Sequence, residues 1–433
     1  MRNRVLIIDS GMRNLGGHNF SYTRAVQAAL EQRGLSVTVF ANKNLTGELT
    51  KTTGYKPVFS FGAYDFPPGN GPLRDLRYLY AQSVVYSDEL EQAFKEAPDE
   101  YSIVFCHTVN DFELIGWRRF LSRRRLSGHL MILMRQTPGF HSCSRWRQVA
   151  HPYWRIKPHY LNAIHARMKG RFVLLTDSEP LTEDYARIFH HRIVTLPIPI
   201  NEMILNADNQ GRSTNGLSAR YNLARDGRLC VGYVGDARAS KGFPLLPELI
   251  RRVASSAGAK TKFVIQCPAA ASGYDNGQPA AGVDELKKLA REANGDITLI
   301  SEKLSERDYA ELFSHLDIVL VPYTTPNYAE ATSGIFAEAM ALAKPVVVPS
   351  DTWMASELKK SGGGLEFHRG DAADLAAKVL EMARHYDVYA TKANNYGETW
   401  KSFHNSHTLA DMLIKESELE PLPRPSQGQD DQR

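Results

Sequence analysis

Short apolar runs recur along the chain, separated by longer segments with a helical rhythm. Val5-Leu6-Ile7-Ile8, Val37-Thr38-Val39-Phe40, Ile103-Val104-Phe105-Cys106, Leu130-Met131-Ile132-Leu133-Met134 and Phe172-Val173-Leu174-Leu175 read as strands buried on both faces, as in a parallel sheet. A second series runs through Leu229–Val234, Phe263–Gln266, Ile297–Ile300, Ile318–Val321 and Val346–Val348. Between strands, Asn19–Arg33 carries an apolar stripe (Phe20, Ala25, Val26, Ala29, Leu30) and is stopped by Gly34. Arg77–Lys95, Ala373–Arg384 and a terminal segment with Trp400, Phe403, Leu409, Met412 and Leu413 read as further helices. Tyr55–Asp75, rich in Gly, Pro and aromatics, is expected to be an irregular loop. Two strand–helix series in 433 residues predict two α/β domains, since one core rarely organises so long a chain. The polar stretch Asn206–Gly227 reads as their connector. The expected divisions are 1–205, 206–227, 228–395, a terminal helix over 396–418, and a disordered tail over 419–433.

The richest local chemistry lies between the strands at Ile318–Val321 and Val346–Val348. A helix is expected from about Ser333-Gly334, ending by Lys344 because Pro345 disfavours helical dihedrals before it. Thr332 and Ser333 are capping residue types, and the backbone N–H groups of Gly334 and Ile335 would sit at the positive dipole end. That makes an anion site at the carboxyl end of a strand, where open α/β sheets bind ligands. Glu330 and Glu338 bracket it; elsewhere such a pair would read as two solvated carboxylates. Other candidates also follow strands: Gly16-Gly17 (or a mere tight turn), His107 (or a loop cap), and Arg238 with Lys241. The first strand and helix lack G-x-G-x-x-G, and no acid closes the second strand, against a dinucleotide site. Gly11 and Gly16 imitate a P-loop, but Gly17 and His18 stand where Lys and Ser/Thr are needed.

Charge and cysteines change the picture only locally. The formal net charge is +4, yet twelve Lys/Arg fall between Tyr101 and Gly170 against two acids, Asp111 and Glu113. Bases interleave with aromatics over 117–157, which suits either a peripheral membrane contact or a solvated face whose aromatics are core. No nucleic-acid motif accompanies them. Cys106, Cys143, Cys230 and Cys267 form no C-x-x-C pair and read mostly as core residues. No run is long enough for a membrane span and the basic N-terminus is too short in apolar residues for a signal peptide, so a cytoplasmic setting is expected, peripheral at the inner membrane face if the basic segment docks there.

The segment Glu330-Ala331-Thr332-Ser333-Gly334-Ile335-Phe336-Ala337-Glu338-Ala339-Met340-Ala341, followed by Lys344-Pro345-Val346-Val347, resembles the donor-binding segment of retaining glycosyltransferases of family 4. Ala343 stands where those proteins usually have glycine. Lys241-Gly242 resembles the end of the same family's phosphate loop, with Asp236 in place of the usual arginine and Arg238 two residues on. The resemblance implies the GT-B fold: two Rossmann-like domains facing across a cleft, with a C-terminal helix returning to the first. It implies metal-independent transfer from a nucleotide-diphosphate sugar to a hydroxyl acceptor, a glycan or lipid-linked glycan, with no cofactor. The absence of a D-x-D sequence agrees with that. By the same resemblance Glu338 would hold the ribose, Glu330 the donor sugar, and His107 would face that sugar. Gly16, Gly17, Arg238, Lys241, Thr332, Ser333, Gly334 and Ile335 would surround the donor. Ser301–Leu304 would lie near its base. A nucleotide-sugar epimerase and a non-catalytic GT-B module are the alternatives.

Overall fold

The computed structural model describes residues 3–13, 18–62, 65, 72–96, 100–138, 153–200, 202–205, 216–223, 226–256, 260–268, 281–293 and 295–418. It divides into two compact units. Unit 1 comprises 1–177, 182–199 and 406–433; unit 2 comprises 178–181 and 200–405.

Unit 1 contains β1 (Arg4–Asp9), α1 (His18–Glu31), β2 (Ser36–Asn42), α2 (Gly47–Thr53), β3 (Lys56–Phe59), α3 (Pro72–Glu96), β4 (Ile103–His107), α4 (Asp111–Arg123), β5 (His129–Leu133), α5 (Tyr153–Met168), β6 (Phe172–Thr176), α6 (Glu179–Ala186), whose first residues fall in unit 2, and β7 (Ile193–Thr195). The sheet is parallel, in the order β3-β2-β1-β4-β5-β6-β7. Ile8 of β1 lies opposite Phe40 of β2 and Cys106 of β4, so the strand order reverses beside β1. The continuous apolar runs are explained by burial on both sheet faces; Val5, Leu6 and Ile7 are fully enclosed.

Unit 2 contains α7 (Glu202–Leu205), α8 (Leu217–Tyr221), β8 (Leu229–Tyr233), α9 (Leu246–Ala254), β9 (Thr261–Gln266), α10 (Val283–Glu292), β10 (Ile297–Ile300), α11 (Glu306–His315), β11 (Ile318–Leu320), α12 (Gly334–Ala341), β12 (Val346–Pro349), α13 (Trp353–Ser361), β13 (Gly364–Phe367), α14 (Ala372–Arg384) and α15 (Tyr386–Phe403). Its sheet, also parallel, runs β10-β9-β8-β11-β12-β13, with the reversal between β8 and β11. The last helix, α16 (Ser406–Glu416), belongs to unit 1. Its Leu409, Ala410, Leu413 and Ile414 join the core cluster of Val26 and Leu30 from α1, and the Arg33 guanidinium forks onto the Asp411 carboxylate. The terminal helix read over 396–418 is thus two helices, broken at His404-Asn405.

Several expectations need correction. Tyr55–Asp75 is not wholly irregular: Lys56–Phe59, with Pro57, pairs with β2 as an edge strand, the place in a sheet where proline is tolerated, and α3 begins at Pro72. Residues 63, 64 and 66–71 lie outside the described residues. Within the connector expected over 206–227, Leu217–Tyr221 forms α8. Its first amides, on Leu217 and Ser218, donate to the Glu311 carboxylate at 3.0 and 2.9 Å. Residues 206–215, 224 and 225 and the tail from 419 are outside the description. In the basic segment, Trp117, Phe120 and Leu121 of α4 are core residues, and Lys157 is buried in an ion pair with Asp111 at 3.0 Å. The aromatics of α4 therefore offer nothing to a membrane; 139–152, with Trp146 and Cys143, and the side chains of 153–155 are not described. Cys106, Cys230 and Cys267 are buried and take part in no disulfide. No described helix is long and apolar enough to cross a membrane.

The turn after α12 carries a local cost. Ala343 has φ +53°, a left-handed conformation in which a Cβ crowds the following carbonyl. Ala343→Gly is therefore expected to stabilise unit 2 by about 1 kcal/mol, the strain relieved exceeding the added chain entropy. Urea unfolding of the two proteins measures this.

Candidate functional site

In unit 2 the groups converge where the strand order reverses, beyond the carboxyl ends of β8 and β11, where open α/β sheets offer a crevice. The loop after β8 turns at Gly235 (φ +109°) and Gly242 (φ +75°). At Gly242 a Cβ would lie 1.7 Å from the Pro322 carbonyl oxygen, so only glycine lets this loop meet the one after β11. Thr324 ties the two loops further: its N–H donates to the Ser240 carbonyl at 3.1 Å and its hydroxyl to that of Ala239 at 2.7 Å. Lys241 is buried here, its Nζ 3.1 Å from where a Cβ on Gly235 would sit. Burial, then the neighbouring Arg238, pushes the Lys241 ammonium down to about 8, against the pull of Asp236 and Glu338. The Arg238 guanidinium pairs with Asp236 at 3.4 Å. The residue that departs from the family pattern thus lies against the cation two positions on.

Ser333 caps α12: its hydroxyl accepts from the Phe336 N–H at 3.3 Å and donates to the Tyr323 hydroxyl at 3.2 Å. The Gly334 and Ile335 amides lead this first turn, a setting that favours an anion. Thr332 and Glu330 lie in the preceding loop, both partly buried. Glu338, one turn into α12, is also partly buried and accepts from the Tyr309 hydroxyl of α11 at 2.7 Å. Burial raises its carboxyl to about 7, the Tyr309 bond and Lys241 opposing. Tyr309 was not legible in the sequence, because its partner Glu338 lies 29 residues away on another helix.

In unit 1 the polar groups also gather at the point where the strand order reverses. His107 ends β4 and is enclosed: its Nε2 lies 2.7 Å from the Thr23 hydroxyl of α1 and 3.4 Å from Asp9 Oδ2 at the end of β1. Its Nδ1 lies 3.3 Å from the Thr108 hydroxyl, and the ring packs on Tyr22 with centroids 4.6 Å apart. Thr108 itself has φ +64°, strained for a β-branched residue. Asp9 also accepts from Asn19 at 2.9 Å and Thr23 at 2.9 Å. Burial pushes its carboxyl up, but His107, Asn19 and Thr23 together hold it below the ordinary range. Glu113 on α4, accepting from Ser10 at 2.6 Å and the Asn110 amide at 2.7 Å, is raised by burial to about 8. Asp9, Thr23 and Glu113 were missed in the sequence because Asp9 merely ends a strand, Thr23 lies within a helix, and Glu113 figures only as an acid in a basic segment. Both ring nitrogens of His107 have hydrogen-bonding neighbours within the unit, the hydroxyls of Thr23 and Thr108. Gly16 and Gly17 lie outside the described residues.

Two parallel sheets of this order, with α16 on the first, define the class: this is the GT-B fold. Residues 228–385, within unit 2, match the family model described as glycosyl transferases group 1. Sucrose-phosphate synthase (tll1590) from Thermosynechococcus elongatus is similar in structure, with TM-score 0.64, 16% identity, and 96% of this chain and 98% of that chain covered. An α,α-trehalose-phosphate synthase (UDP-forming) from Burkholderia xenovorans, in complex with glucose-6-phosphate, gives TM-score 0.67 at 12% identity over 96% of this chain and 100% of that one. Anabaena Alr3699/HepE in complex with UDP gives 0.60 at 14% over 96% and 99%. No curated protein sequence matches the chain.

Proposed function

We propose that this protein is a retaining, metal-independent glycosyltransferase that moves a sugar from a nucleoside-diphosphate donor to a hydroxyl acceptor, a glycan or lipid-linked glycan. The observation that carries the reading is the convergence of Lys241, the Ser333-capped start of α12, and Glu338 at the point in unit 2 where the strand order reverses. Breaking the anomeric bond to a diphosphate develops negative charge on the leaving group. Preorganised cations and amides stabilise that charge best in a dry site. Lys241, Arg238 and the Gly334 and Ile335 amides supply them here. Glu338 accepts from a ribose hydroxyl, and Glu330 steadies the positive charge growing on the sugar. The acceptor hydroxyl bonds to the anomeric carbon as the bond to the diphosphate breaks, and the leaving phosphate takes the acceptor proton. Because HepE is described with UDP and the trehalose-phosphate synthase as UDP-forming, uridine nucleotides are the first donors to try.

Glu338→Gln is expected to weaken nucleoside-diphosphate binding roughly tenfold or more, the worth of a hydrogen bond to a charged group, while Glu330→Gln lowers turnover more than affinity. Activity should survive excess chelator. Calorimetry and donor-turnover assays across UDP-, GDP- and ADP-sugars check all three. Loss of turnover in EDTA with rescue by Mg²⁺ would sink the metal-free mechanism, and epimerised donor without transfer would replace the reading with an epimerase.

A further inference from the structure

We propose that the Tyr309 hydroxyl positions the Glu338 carboxylate for a ribose hydroxyl, and so sets how strongly the site separates a ribonucleotide from its deoxy counterpart. The inference rests on the donor reading above and adds a residue to it. Among the described residues, Tyr309 is the hydrogen-bond partner of Glu338, through Oε2 at 2.7 Å. A carboxylate on a helix has a rotatable stem; a fixed donor on one oxygen selects one rotamer and turns the other oxygen to the ligand.

Tyr309 is well built for that task. Its ring packs edge-on against the buried Phe313, centroids 5.2 Å apart, on the same helix. That helix is capped by Ser305, whose hydroxyl accepts from the Asp308 N–H at 3.1 Å, and is tied to α8 through Glu311 and through Asp308–Arg220 at 2.9 Å. The phenol must keep its proton to donate. Burial, then the adjacent Glu338, pushes it well above its ordinary value, so it does. The charged or titratable groups around Glu338 are Tyr309 from α11, Lys241 from the loop after β8 and Tyr323 from the loop after β11, with Arg238 and Asp236 beside Lys241. Two of these, the Tyr309 bond and the Lys241 charge, hold the Glu338 carboxyl down against burial. Removing the phenol hydroxyl leaves Lys241 alone to do so, and the carboxyl then takes its proton at higher pH.

The test is calorimetry of the full chain with UDP and 2′,3′-dideoxy-UDP between about pH 6 and 9, on wild type, Tyr309→Phe, Glu338→Gln and the double variant. Tyr309→Phe keeps the ring on Phe313, and a urea melt confirms the fold. Wild type is expected to prefer UDP roughly tenfold. Tyr309→Phe should lose most of that preference with its dideoxy-UDP affinity unchanged, and its acid limb of UDP binding should move to higher pH. The double variant should be no worse than Glu338→Gln. An unchanged preference and pH profile, or an equal loss for both nucleotides, overturns the inference while leaving the donor reading intact. Failure of wild type to bind UDP, GDP or ADP would instead overturn the donor reading, and this inference with it.

Discussion

Lys241→Ala is expected to weaken nucleoside-diphosphate binding by about a hundredfold, near the upper end for a charge-assisted hydrogen bond in a dry site. The ammonium is buried beside Gly235, so water cannot replace it cheaply once a diphosphate is bound. Arg238→Ala should cost nearly as much if the guanidinium meets the diphosphate, and Asp236→Ala only a little, through a less ordered Arg238. Salt should lessen all these effects, the partly exposed Arg238 more than the buried Lys241. The pH dependence follows from two opposite shifts. Lys241 is lowered to about 8, so in the empty site it loses its charge, and binding falls, as pH rises through that value. Glu338 is raised to about 7, so its carboxylate is lost, and binding again falls, as pH drops through that value. Nucleotide affinity should peak between the two, measured by calorimetry across pH. An affinity flat from pH 6 to 9, or Lys241→Ala binding like wild type, would remove Lys241 from the site.

The second large effect lies in the packing behind the site. Trp400 of α15 is almost fully buried, and its indole N–H donates to the Ala337 carbonyl of α12 at 3.1 Å. It meets Phe336 edge-on at 5.9 Å between centroids and stacks on His404 at 3.9 Å. Trp400→Ala should destabilise unit 2 by about 3–5 kcal/mol, as large aromatic truncations in cores do. Because α12 carries Glu338 and the Ser333 cap, nucleotide affinity should fall as well, although Trp400 need not touch a ligand. His404 adds a pH signature. Burial, with help from Lys360, lowers its imidazole to about 3, so the unfolded chain takes the proton first. Its contribution to stability is present above about pH 6.5 and is lost as pH falls toward 3. Trp400→Ala should uncover the ring and flatten that dependence. Urea unfolding from pH 4 to 8 measures both effects; a loss under 1 kcal/mol would mean that α15 does not brace α12.

Much of this protein was legible because the signals are local. A parallel strand buried on both faces must be a continuous apolar run, and the runs at Val5–Ile8, Ile103–Cys106, Ile318–Val321 and Val346–Val348 could form little else. A Ser before a Gly, with a proline eleven residues on, fixes a short capped helix whose direction follows from chain order; α12 is that helix. The anion-favouring turn and the carboxylates on either side of it therefore follow from sequence alone. Tertiary structure decided which polar groups meet. Nothing near Lys241 indicates that its side chain is enclosed, because that depends on how closely Gly242 lets two loops approach. Trp117 and Phe120 sit among arginines in sequence yet face the core, since a helix separates neighbours by 100° and the pattern does not say which side the sheet lies on. His107 and Asp9 each end a strand, but only the reversal of strand order at β1 and β4 sets them together, with Thr23 of α1 between. Tyr309 meets Glu338 across 29 residues. Local preferences act within a few residues, whereas a contact between separate helices is fixed by the order of the strands beneath them. The chain thus states its elements and their chemistry, and the packing of the sheets chooses the partners.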